Sequence, residues 1–313
     1  MKYGFGVDIG GTTVKLAYFD QDGNMLDKWE IPTVTTDEGS HILPDVAASV
    51  KNYIQEKCID PDTIVGIGVG VPGAVNKEGI VNRCINLGWG IVNVDKTLTD
   101  LTGFRVRVGN DANVAALGEC WKGGGQGCKD MVLATLGTGV GGGIVVDGQL
   151  LFGFHGSGGE IGHMVIERGE TEICPCGKYG CVEQYCSATG VVRVAKRFMA
   201  KSDKPSMLRS VENLTCKDVF DAGKAGDELA LEALDQVYRY MGEFLANVCC
   251  VVNPEVIVLG GGVTKAGQPL LDGAQRYFAQ NVFHAAKNVQ FRLATLGNDA
   301  GAYGAFKLVL DEQ

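Results

Sequence analysis

The pattern of apolar and polar positions occurs twice along the chain. Residues 3–26 show an apolar run, a glycine turn, a second apolar run, an Asp22-Gly23 turn and a third strand. Residues 131–151 repeat that order, with Asp147-Gly148 at the second turn. Asp and Gly tolerate the backbone of tight hairpins, so each copy predicts a meander of strands. Because both turns recur at matching spacing, we interpret the chain as an internally duplicated α/β protein.

The remaining apolar segments predict further strands and helices. Strand candidates that lack polar alternation are Ile64–Val71, Val106–Val108 and a run beginning at Val256. Helical periodicity and capping residues predict helices over Asp45–Lys57, Asp111–Trp121, Leu229–Val252 and Ala300–Leu310, with another beginning near Val182. No linker rich in Pro or Ser separates the two halves, so we expect tightly abutted domains with a cleft between them.

Composition and charge narrow the class of protein. Hydrophobic residues make up 45% and charged residues 21%, which is typical of a globular protein. The net charge is −9 and no basic stripe occurs, so nucleic acid is not an expected partner. The chain shows neither a secretory leader nor an apolar run of the roughly 20 residues that cross a bilayer. Eleven cysteines, mostly scattered singly, predict a reducing, cytoplasmic location without a membrane partner.

Two glycine-rich turns are candidates for holding phosphate, and a third is a candidate for contacting the nucleoside end of a nucleotide. Glycine lets backbone N–H groups converge on an anion without an obstructing side chain. The residues of the first turn that could hold ATP and Mg²⁺ are Asp8, Gly10, Gly11, Thr12, Thr13 and Lys15. The second turn offers Gly137, Thr138, Gly139 and Gly141, and the third offers Gly260, Gly261 and Gly262. None is a Walker A loop, and each alone is equally typical of a tight hairpin. The equivalent places of the first two turns in a duplicated fold favour a nucleotide.

The stretch Asn110-Asp111-Ala-Asn113 allows two interpretations. It lies between a predicted strand and a predicted helix, where Asp111 could be no more than a helix N-cap. Asp111 could instead be a base that accepts a proton from a sugar hydroxyl during attack on phosphorus. The residues alone do not decide between them.

A cysteine-rich loop predicts a metal site. Cys174, Cys176 and Cys181 lie in one short loop with interleaved glycines, and His163 is near enough in sequence to be a fourth ligand. One His and three Cys form a closed shell around Zn²⁺, so the metal would be structural. Such a site would fix His163, Glu160 and Glu183 around one polar ligand, as a polyhydroxylated sugar requires.

These motifs together resemble the ROK family of sugar kinases and repressors, in the actin and hexokinase superfamily. The most specific part is Glu160-Ile-Gly-His163 with Cys-x-Cys-Gly-x-x-Gly-Cys-x-Glu, and residues 183–190 are similar to the glucokinases of Gram-positive bacteria. The resemblance implies that Asp111 is the catalytic base on the sugar 6-hydroxyl. The implied substrate-binding residues are Gly73, Asn86, Asn110, Asp111, Glu160, His163 and Glu183. It also implies ATP with Mg²⁺ at the glycine turns, and a structural Zn²⁺.

The fold that the resemblance implies consists of two ribonuclease-H-like α/β domains, a cleft between them and a zinc-bound loop. The small domain would comprise residues 1–112 with the returning helix at 300–313, and the large domain residues 113–299. A homodimer is expected. Gly109 departs from the Glu that many members carry before Asn-Asp-Ala-Asn, a position without an assigned chemical step.

Several functions remain open at this point, with phosphorylation of glucose by ATP preferred. The rival substrates are N-acetylmannosamine, N-acetylglucosamine, allose and fructose, since epimers differ in few pocket hydrogen bonds. A polyphosphate donor would need a basic track, which the chain lacks. A sugar-responsive regulator is disfavoured because only seven residues precede Asp8 and the charge is acidic.

Overall fold

Most strands of the protein follow the predicted apolar runs, but the strands at 80–84, 89–93 and 290–293 were not predicted. The computed structural model describes residues 1–311, and within them twelve strands occur. They are β1 (Tyr3–Ile9), β2 (Thr13–Asp20), β3 (Met25–Pro32), β4 (Ile64–Val71), β5 (Ile80–Cys84), β6 (Trp89–Asn93), β7 (Val106–Asn110), β8 (Met131–Leu136), β9 (Val140–Val146), β10 (Gln149–Leu150), β11 (Val256–Gly260) and β12 (Gln290–Leu293).

Ten α-helices occur in the same described range. They are α1 (Thr36–Gly39), α2 (Ile42–Glu56), α3 (Val94–Thr102), α4 (Asp111–Lys122), α5 (Glu183–Cys186), α6 (Ala188–Lys201), α7 (Cys216–Lys224), α8 (Glu228–Val252), α9 (Gln268–Asn281) and α10 (Ala300–Leu310). None of the helices within residues 1–311 combines the length and the apolar character needed to cross a membrane.

The two main sheets confirm the duplication read from the apolar pattern. The first has the order β3-β2-β1-β4-β7, in which β1 to β3 are antiparallel and β4 and β7 run parallel to β1. The second has the order β10-β9-β8-β11-β12, with β9 and β10 antiparallel and β8, β11 and β12 parallel. Both copies therefore place their glycine turn between the first two strands of a meander. A small hairpin of β5 and β6 stands apart from this repeat.

Most predicted elements occur where expected. The predicted bounds of α10 and β4 are those of the structure, and α4 extends one residue beyond the predicted Trp121. Helix α2 begins at Ile42, three residues before the predicted start, because its apolar face already includes Ile42 and Leu43. The helix predicted from Val182 is two helices, since Ser187 leaves the helical conformation and caps α6 through the N–H of Gly190.

The chain forms two compact units whose bounds differ from the expected domains. The first unit comprises Met1–Lys129, Gly143–Gly159 and the segment beginning at Thr295, and the second comprises Asp130–Gly142 and Glu160–Ala294. Residues 113–129 and 143–159 thus belong to the first unit, not to the large domain predicted for 113–299. The cause is packing at long sequence separation, which the periodicity does not encode. A Cβ on Gly304 of α10 would lie 1.6 Å from the carbonyl oxygen of Val114, so α4 and α10 contact each other through backbone.

Helix α10 completes the core of the first unit. It packs on the first sheet so closely that a Cβ on Gly68 of β4 would lie 1.7 Å from the carbonyl oxygen of Ala305. Phe19 and Phe306 stack with ring centroids 5.0 Å apart, and both side chains are fully buried. Stacked aromatic pairs add roughly 0.5–1.5 kcal/mol beyond the area that they bury. Helix α10 therefore supports the sheet whose strand ends carry the first group of candidate residues.

Candidate functional site

Two carboxylates lie at one edge of the first sheet. Asp8 is the penultimate residue of β1, and Asp111 directly follows β7. The strands β1, β4 and β7 are parallel, so their carboxyl ends meet at the same edge. A Cβ on Gly70 of β4 would lie 3.7 Å from Asp8 Oδ1 and 3.8 Å from the Cα of Asp111. The two acids therefore flank the end of the intervening strand.

The positive charge of Lys15 only partly offsets the effect of burial on the Asp8 carboxyl group. Burial raises the pKa of Asp8 to about 6; Lys15 opposes this rise, and the charge of Asp111 adds to it. The ammonium of Lys15 lies 4.0 Å from Asp8 Oδ2 and also donates to the carbonyl oxygen of Asn298 at 3.4 Å. A half-buried carboxylate whose charged form is disfavoured in this way is suited to hold a cation.

Asn110, and not Asp111, caps helix α4. Its Oδ1 accepts from the N–H groups of Ala112 at 3.0 Å and Asn113 at 3.1 Å, while its Nδ2 donates to the carbonyl oxygen of Gly73 at 3.0 Å. The interpretation of Asp111 as no more than a helix N-cap is therefore wrong, because Asn110 already fills the cap position. Asn110 also places Gly73 beside the start of the helix.

Asp111 opens towards solvent, although protein atoms crowd its carboxyl. This crowding removes water and raises the pKa of Asp111, while the N–H of Ala112 and the amide of Asn110 lower it. The bond from the Ala112 N–H to Asp111 Oδ1 is 2.8 Å long. A carboxylate with a raised pKa and free access can accept a proton from a bound hydroxyl.

The first glycine turn is held from outside and keeps its tip accessible. Gly10 donates its N–H to the carbonyl oxygen of Thr13 at 3.0 Å and accepts from the hydroxyl of Thr33 at 2.7 Å. Gly11 and Thr12 are exposed. A Cβ on Gly11 would lie 3.8 Å from the carbonyl oxygen of Asn86, so the structure brings that predicted sugar residue to the turn.

The second unit contains the second glycine turn. Gly137 donates its N–H to the carbonyl oxygen of Gly139 at 3.0 Å and accepts from the N–H of Ala188, at the start of α6, at 2.8 Å. Thr138 is exposed at the tip. Gly141, predicted to belong to the turn, is a residue of β9.

Glu183 connects the second glycine turn with the cysteine-rich loop. Its Oε2 accepts from the N–H of Val140 at 3.0 Å, and its Oε1 lies 3.8 Å from Cys174 Sγ. A Cβ on Gly139 would lie 2.1 Å from Glu183 Oε2, so only glycine leaves room for the carboxylate. The predicted sugar residue is thus oriented by the backbone of the predicted phosphate turn.

The four predicted zinc ligands form one cluster. The ligand atoms of His163, Cys174, Cys176 and Cys181 all lie within 4.8 Å of one another. Cys176 Sγ is 3.6 Å from Cys181 Sγ, and Cys174 Sγ is 3.8 Å from His163 Nδ1. A tetrahedral Zn²⁺ with bonds of about 2.3 Å to sulfur separates two sulfurs by about 3.8 Å. The donor set and its spacing therefore fit zinc.

The two ring nitrogens of His163 face different groups. Nδ1 faces the sulfur cluster, while Nε2 lies 4.0 Å from Glu160 Oε2. The Glu160 carboxylate is 46% exposed, so it remains available to a ligand. A histidine that binds a metal through one nitrogen can orient a polar partner through the other.

The thiols of the cluster differ in their tendency to ionise. Burial raises the pKa of Cys174 and raises the pKa of Cys181 to about 12. Burial also acts on Cys176, but the N–H of Lys178 and the neighbouring thiols lower the pKa of Cys176 below its usual value. Zinc would bind these groups as thiolates, so binding releases protons and weakens as the pH falls.

A partly buried ion-pair network near the cysteine-rich loop was not predicted from the sequence. Arg197 of α6 donates to Glu170 through both terminal nitrogens, at 2.8 and 2.9 Å, and to Glu172 at 2.8 Å. The Arg197 guanidinium holds the pKa of Glu170 at about 2 in spite of burial. Because 27 residues separate Glu170 from Arg197 along the chain, no local pattern indicates this support for the segment that precedes Cys174.

The third glycine turn borders a pocket of the second unit. The pocket has a volume of about 470 Å³ and is lined on one side by Gly262, Val263, Lys265 and Ala266, with Ala188 beside them. Helix α7 supplies the opposite wall, with Thr215, Cys216, Lys217, Phe220, Asp221 and Lys224. This wall was not predicted from the sequence. Its one local signal is the capping box of Thr215 and Asp218, which marks where α7 begins.

Comparison with known proteins agrees with this arrangement. The family model described as "ROK family" matches residues 4–312. A glucokinase of Halalkalibacterium halodurans is 42% identical over 98% of this chain and 95% of its own length. The crystal structure of a ROK family glucokinase of Streptomyces griseus, in complex with glucose and AMPPNP, is 31% identical, covers 98% of both chains and has a TM-score of 0.75. A ROK hexokinase structure of Thermus thermophilus is 30% identical, with a TM-score of 0.80 over 98% of this chain and 97% of its own.

These likenesses extend over nearly the whole chain and include both sheets. They agree with the resemblance carried by Glu160-Ile-Gly-His163 and the cysteine-rich loop, and with the two α/β units of the fold. The chain belongs to the ROK family of sugar kinases and regulators.

Proposed function

We propose that this protein transfers the terminal phosphate of ATP to the 6-hydroxyl of glucose. The observation that carries the proposal is the 42% identity to a glucokinase over 98% of the chain. The geometry agrees with it, because Asp111 stands free of the helix cap at the sheet edge that also holds Asp8. Phosphoryl transfer depends on positioning and charge neutralisation, together with one base at the nucleophile.

In the first unit, Asp111 would accept the proton of the sugar 6-hydroxyl as its oxygen attacks phosphorus. The raised pKa of Asp111 makes the carboxylate a better base than an aspartate with the usual pKa. Asn110, Gly73 and Asn86 would line the sugar, and the Asn110 side chain fixes the Gly73 backbone for that purpose.

Asp8 and the first glycine turn would hold the phosphate end of the nucleotide. The carboxylate of Asp8 would hold Mg²⁺, and Thr12, Thr13 and Lys15 would donate to phosphate oxygens. When bound, the magnesium ion neutralises charge on the phosphate oxygens. Lys15 supplies a second positive charge, within 4.0 Å of Asp8.

In the second unit, Glu160, His163 and Glu183 would bind sugar hydroxyls. The second glycine turn would hold phosphate, and the 470 Å³ pocket beside Gly262 would receive the adenosine. Zinc on His163 and the three cysteines would fix the ring of His163 and the position of Glu183. Because the backbone of Val140 binds Glu183, the sugar and phosphate elements of this unit are linked.

The test of the proposed function is ADP release by purified, zinc-replete protein with Mg-ATP and a panel of sugars. The panel contains glucose, N-acetylmannosamine, N-acetylglucosamine, mannose, fructose and allose. We expect the highest kcat/KM with glucose. A clear preference for another sugar would replace the substrate and keep the reaction, whereas no turnover with any sugar would favour a sugar-binding regulator or another phosphoryl donor.

Replacement of Asp8 by asparagine is expected to stabilise the magnesium-free protein and to abolish turnover. The folded-state pKa of about 6 lies above the reference value of 3.8, so the folded protein binds the Asp8 proton more tightly than the unfolded chain does. Its stability therefore falls as the pH rises from about 4 to about 6. The uncharged amide of the Asp8→Asn variant avoids this loss, and a shift of about two units predicts a gain of up to about 3 kcal/mol at pH 7.5.

The measurement is denaturant unfolding of both proteins at pH 4 and pH 7.5, with turnover measured in parallel. The gain should be present at pH 7.5 and absent near pH 4. Asp22→Asn, in the exposed turn between β2 and β3, is the control and should change neither quantity. An equal difference between wild type and Asp8→Asn at both pH values would contradict the electrostatic explanation.

Other parts of the interpretation remain predictions. These are the cleft between the domains, the homodimer, the cytoplasmic location and the absence of a nucleic-acid partner.

A relative from Shewanella described as an N-acetylgalactosamine kinase is 30% identical over 96% of the chain, so N-acetylgalactosamine belongs in the sugar panel as well.

A further inference from the structure

A buried carboxylate lies where the chain leaves and re-enters the first unit. The chain first leaves the first unit after Lys129, returns to it for Gly143–Gly159, and enters it for the last time at Thr295. Glu119, in the last third of α4, has a side chain that is 1% exposed. The roles proposed above for the catalytic and binding residues do not include it.

Glu119 binds backbone on both of these connecting segments. Its Oε2 accepts from the N–H of Gly124 at 2.8 Å, on the outgoing segment, and from the N–H of Thr295 at 3.0 Å, on the returning segment. Its Oε1 accepts from the N–H of Leu296 at 2.9 Å. A single oxygen atom thus joins two segments that are 171 positions apart in the sequence (295 − 124).

The sequence leaves space for this carboxylate at the outgoing segment. A Cβ on Gly123 would lie 2.0 Å from Glu119 Oε2, so any larger residue would displace it. Residues 123–125 are all glycine and carry no side chains that could hold the segment in place. The Glu119 carboxylate therefore provides a side-chain hydrogen bond to this segment, which its own residues cannot provide.

A carboxylate is the group that this arrangement requires. Removing a charge from water is costly unless hydrogen bonds replace the lost hydration. An ionised carboxylate offers about four acceptor sites on two oxygens, whereas an amide of the same shape offers one oxygen and a donating NH₂ group. Three N–H donors arriving from two segments can be satisfied by the first group but not by the second.

The same helix begins at the proposed catalytic base. Asp111 is the first residue of α4, and Glu119 follows it by eight positions, about two turns later. We propose that Glu119 is a positioning residue for phosphoryl transfer, which holds both connecting segments on α4 so that movement of either segment reaches the helix that carries Asp111. This inference rests on the proposed function.

The variant that tests the proposal is Glu119→Gln, which keeps the shape and removes the second acceptor oxygen. At a temperature where the variant stays folded, we expect kcat with glucose to fall by about tenfold or more, because small displacements of catalytic groups cost that much. The KM for ATP should stay within about twofold, since the interaction lost acts in the transition state and not in binding. Zinc content should not change.

Asp20→Asn is the matched control. Asp20 is also a buried carboxylate of the first unit, 4% exposed, and it accepts from the backbone N–H groups of Asp22 at 3.0 Å and Asn24 at 2.9 Å. Both of its backbone donors lie in one local turn, and neither belongs to a connecting segment. Asp20→Asn should therefore lower the melting temperature as Glu119→Gln does, and leave kcat within about twofold of wild type.

Hydrogen exchange separates this proposal from the proposed function. In Glu119→Gln the amides of Gly124, Thr295 and Leu296 should exchange at least about tenfold faster than in wild type, and in Asp20→Asn they should not. Unchanged exchange at these amides, or a kcat as high as that of the control, would overturn the positioning role. Absence of glucose turnover in the wild type would instead contradict the proposed function, and the exchange comparison would still test the link between the segments.

Discussion

Replacement of Asp111 by alanine abolishes turnover with glucose and leaves the fold and the zinc content nearly intact, if Asp111 is the base. Loss of a general base costs about 10²–10⁴-fold in rate. The fold should tolerate the change because Asn110 supplies the helix cap, with bonds of 3.0 and 3.1 Å to the first N–H groups of α4. The measurement is kcat by ADP release, with circular dichroism and zinc analysis of the same sample.

Asp45→Ala is the matched control for this prediction. Asp45 lies in the first turn of α2, as Asp111 lies in the first turn of α4, and it is exposed. Its replacement should cost only the favourable interaction of an acid with the helix N-terminus, about 0.3–1 kcal/mol, and should leave kcat unchanged. A near wild-type rate in Asp111→Ala would remove this residue from the mechanism.

Replacement of Cys176 by serine is expected to lower zinc content, thermal stability and sugar affinity together. Loss of a metal ligand should weaken zinc binding by more than the roughly 10–100-fold that loss of an outer partner costs. Cys174, on the same loop, lies 3.8 Å from Glu183, so a disordered loop would also misplace a proposed sugar ligand. Because metal binding and loop folding are linked, the three quantities should change together.

Zinc analysis, a melting curve and glucose titration of one preparation test this prediction. Cys250→Ser is the control, since Cys250 is an exposed cysteine of the same unit on α8. It should retain zinc, stability and affinity. An unchanged glucose affinity in zinc-free Cys176→Ser would contradict the scaffolding role of the metal and leave it with a role in stability alone.

The sequence predicted those features that depend on neighbours along the chain. Strand β4 and helix α10 follow directly from runs of apolar residues and their bounding turns, and they occur at the predicted positions. The cluster of His163 and three cysteines was predictable for the same reason, since Cys174, Cys176 and Cys181 lie within one short loop. The duplication was predictable because the order of turns repeats within two short segments of the sequence and does not depend on long-range contacts.

Features that depend on backbone geometry or on distant residues were not predictable. Asn110 and Asp111 are both good caps, and only the backbone geometry at the end of β7 decides that Asn110 takes the position. The ion pair of Glu170 with Arg197 spans 27 residues, and the bonds of Glu119 to Thr295 and Leu296 span 176 and 177. The expected bound at residue 112 differed from the units of the structure for the same reason, since α4 packs on α10 across the length of the chain.

The three-segment composition of the first unit has a consequence for synthesis on the ribosome. The second unit ends at Ala294, whereas the first unit includes α10, which follows the second unit in the chain. Domains fold as units while the chain emerges, so the second unit can complete its core first although the chain starts with the other. The sheet of the first unit then lacks α10 on one face until residues 300–310 have been synthesised. We therefore expect the nascent chain to rely most on chaperones while the stretch up to Lys129 waits for its final helix.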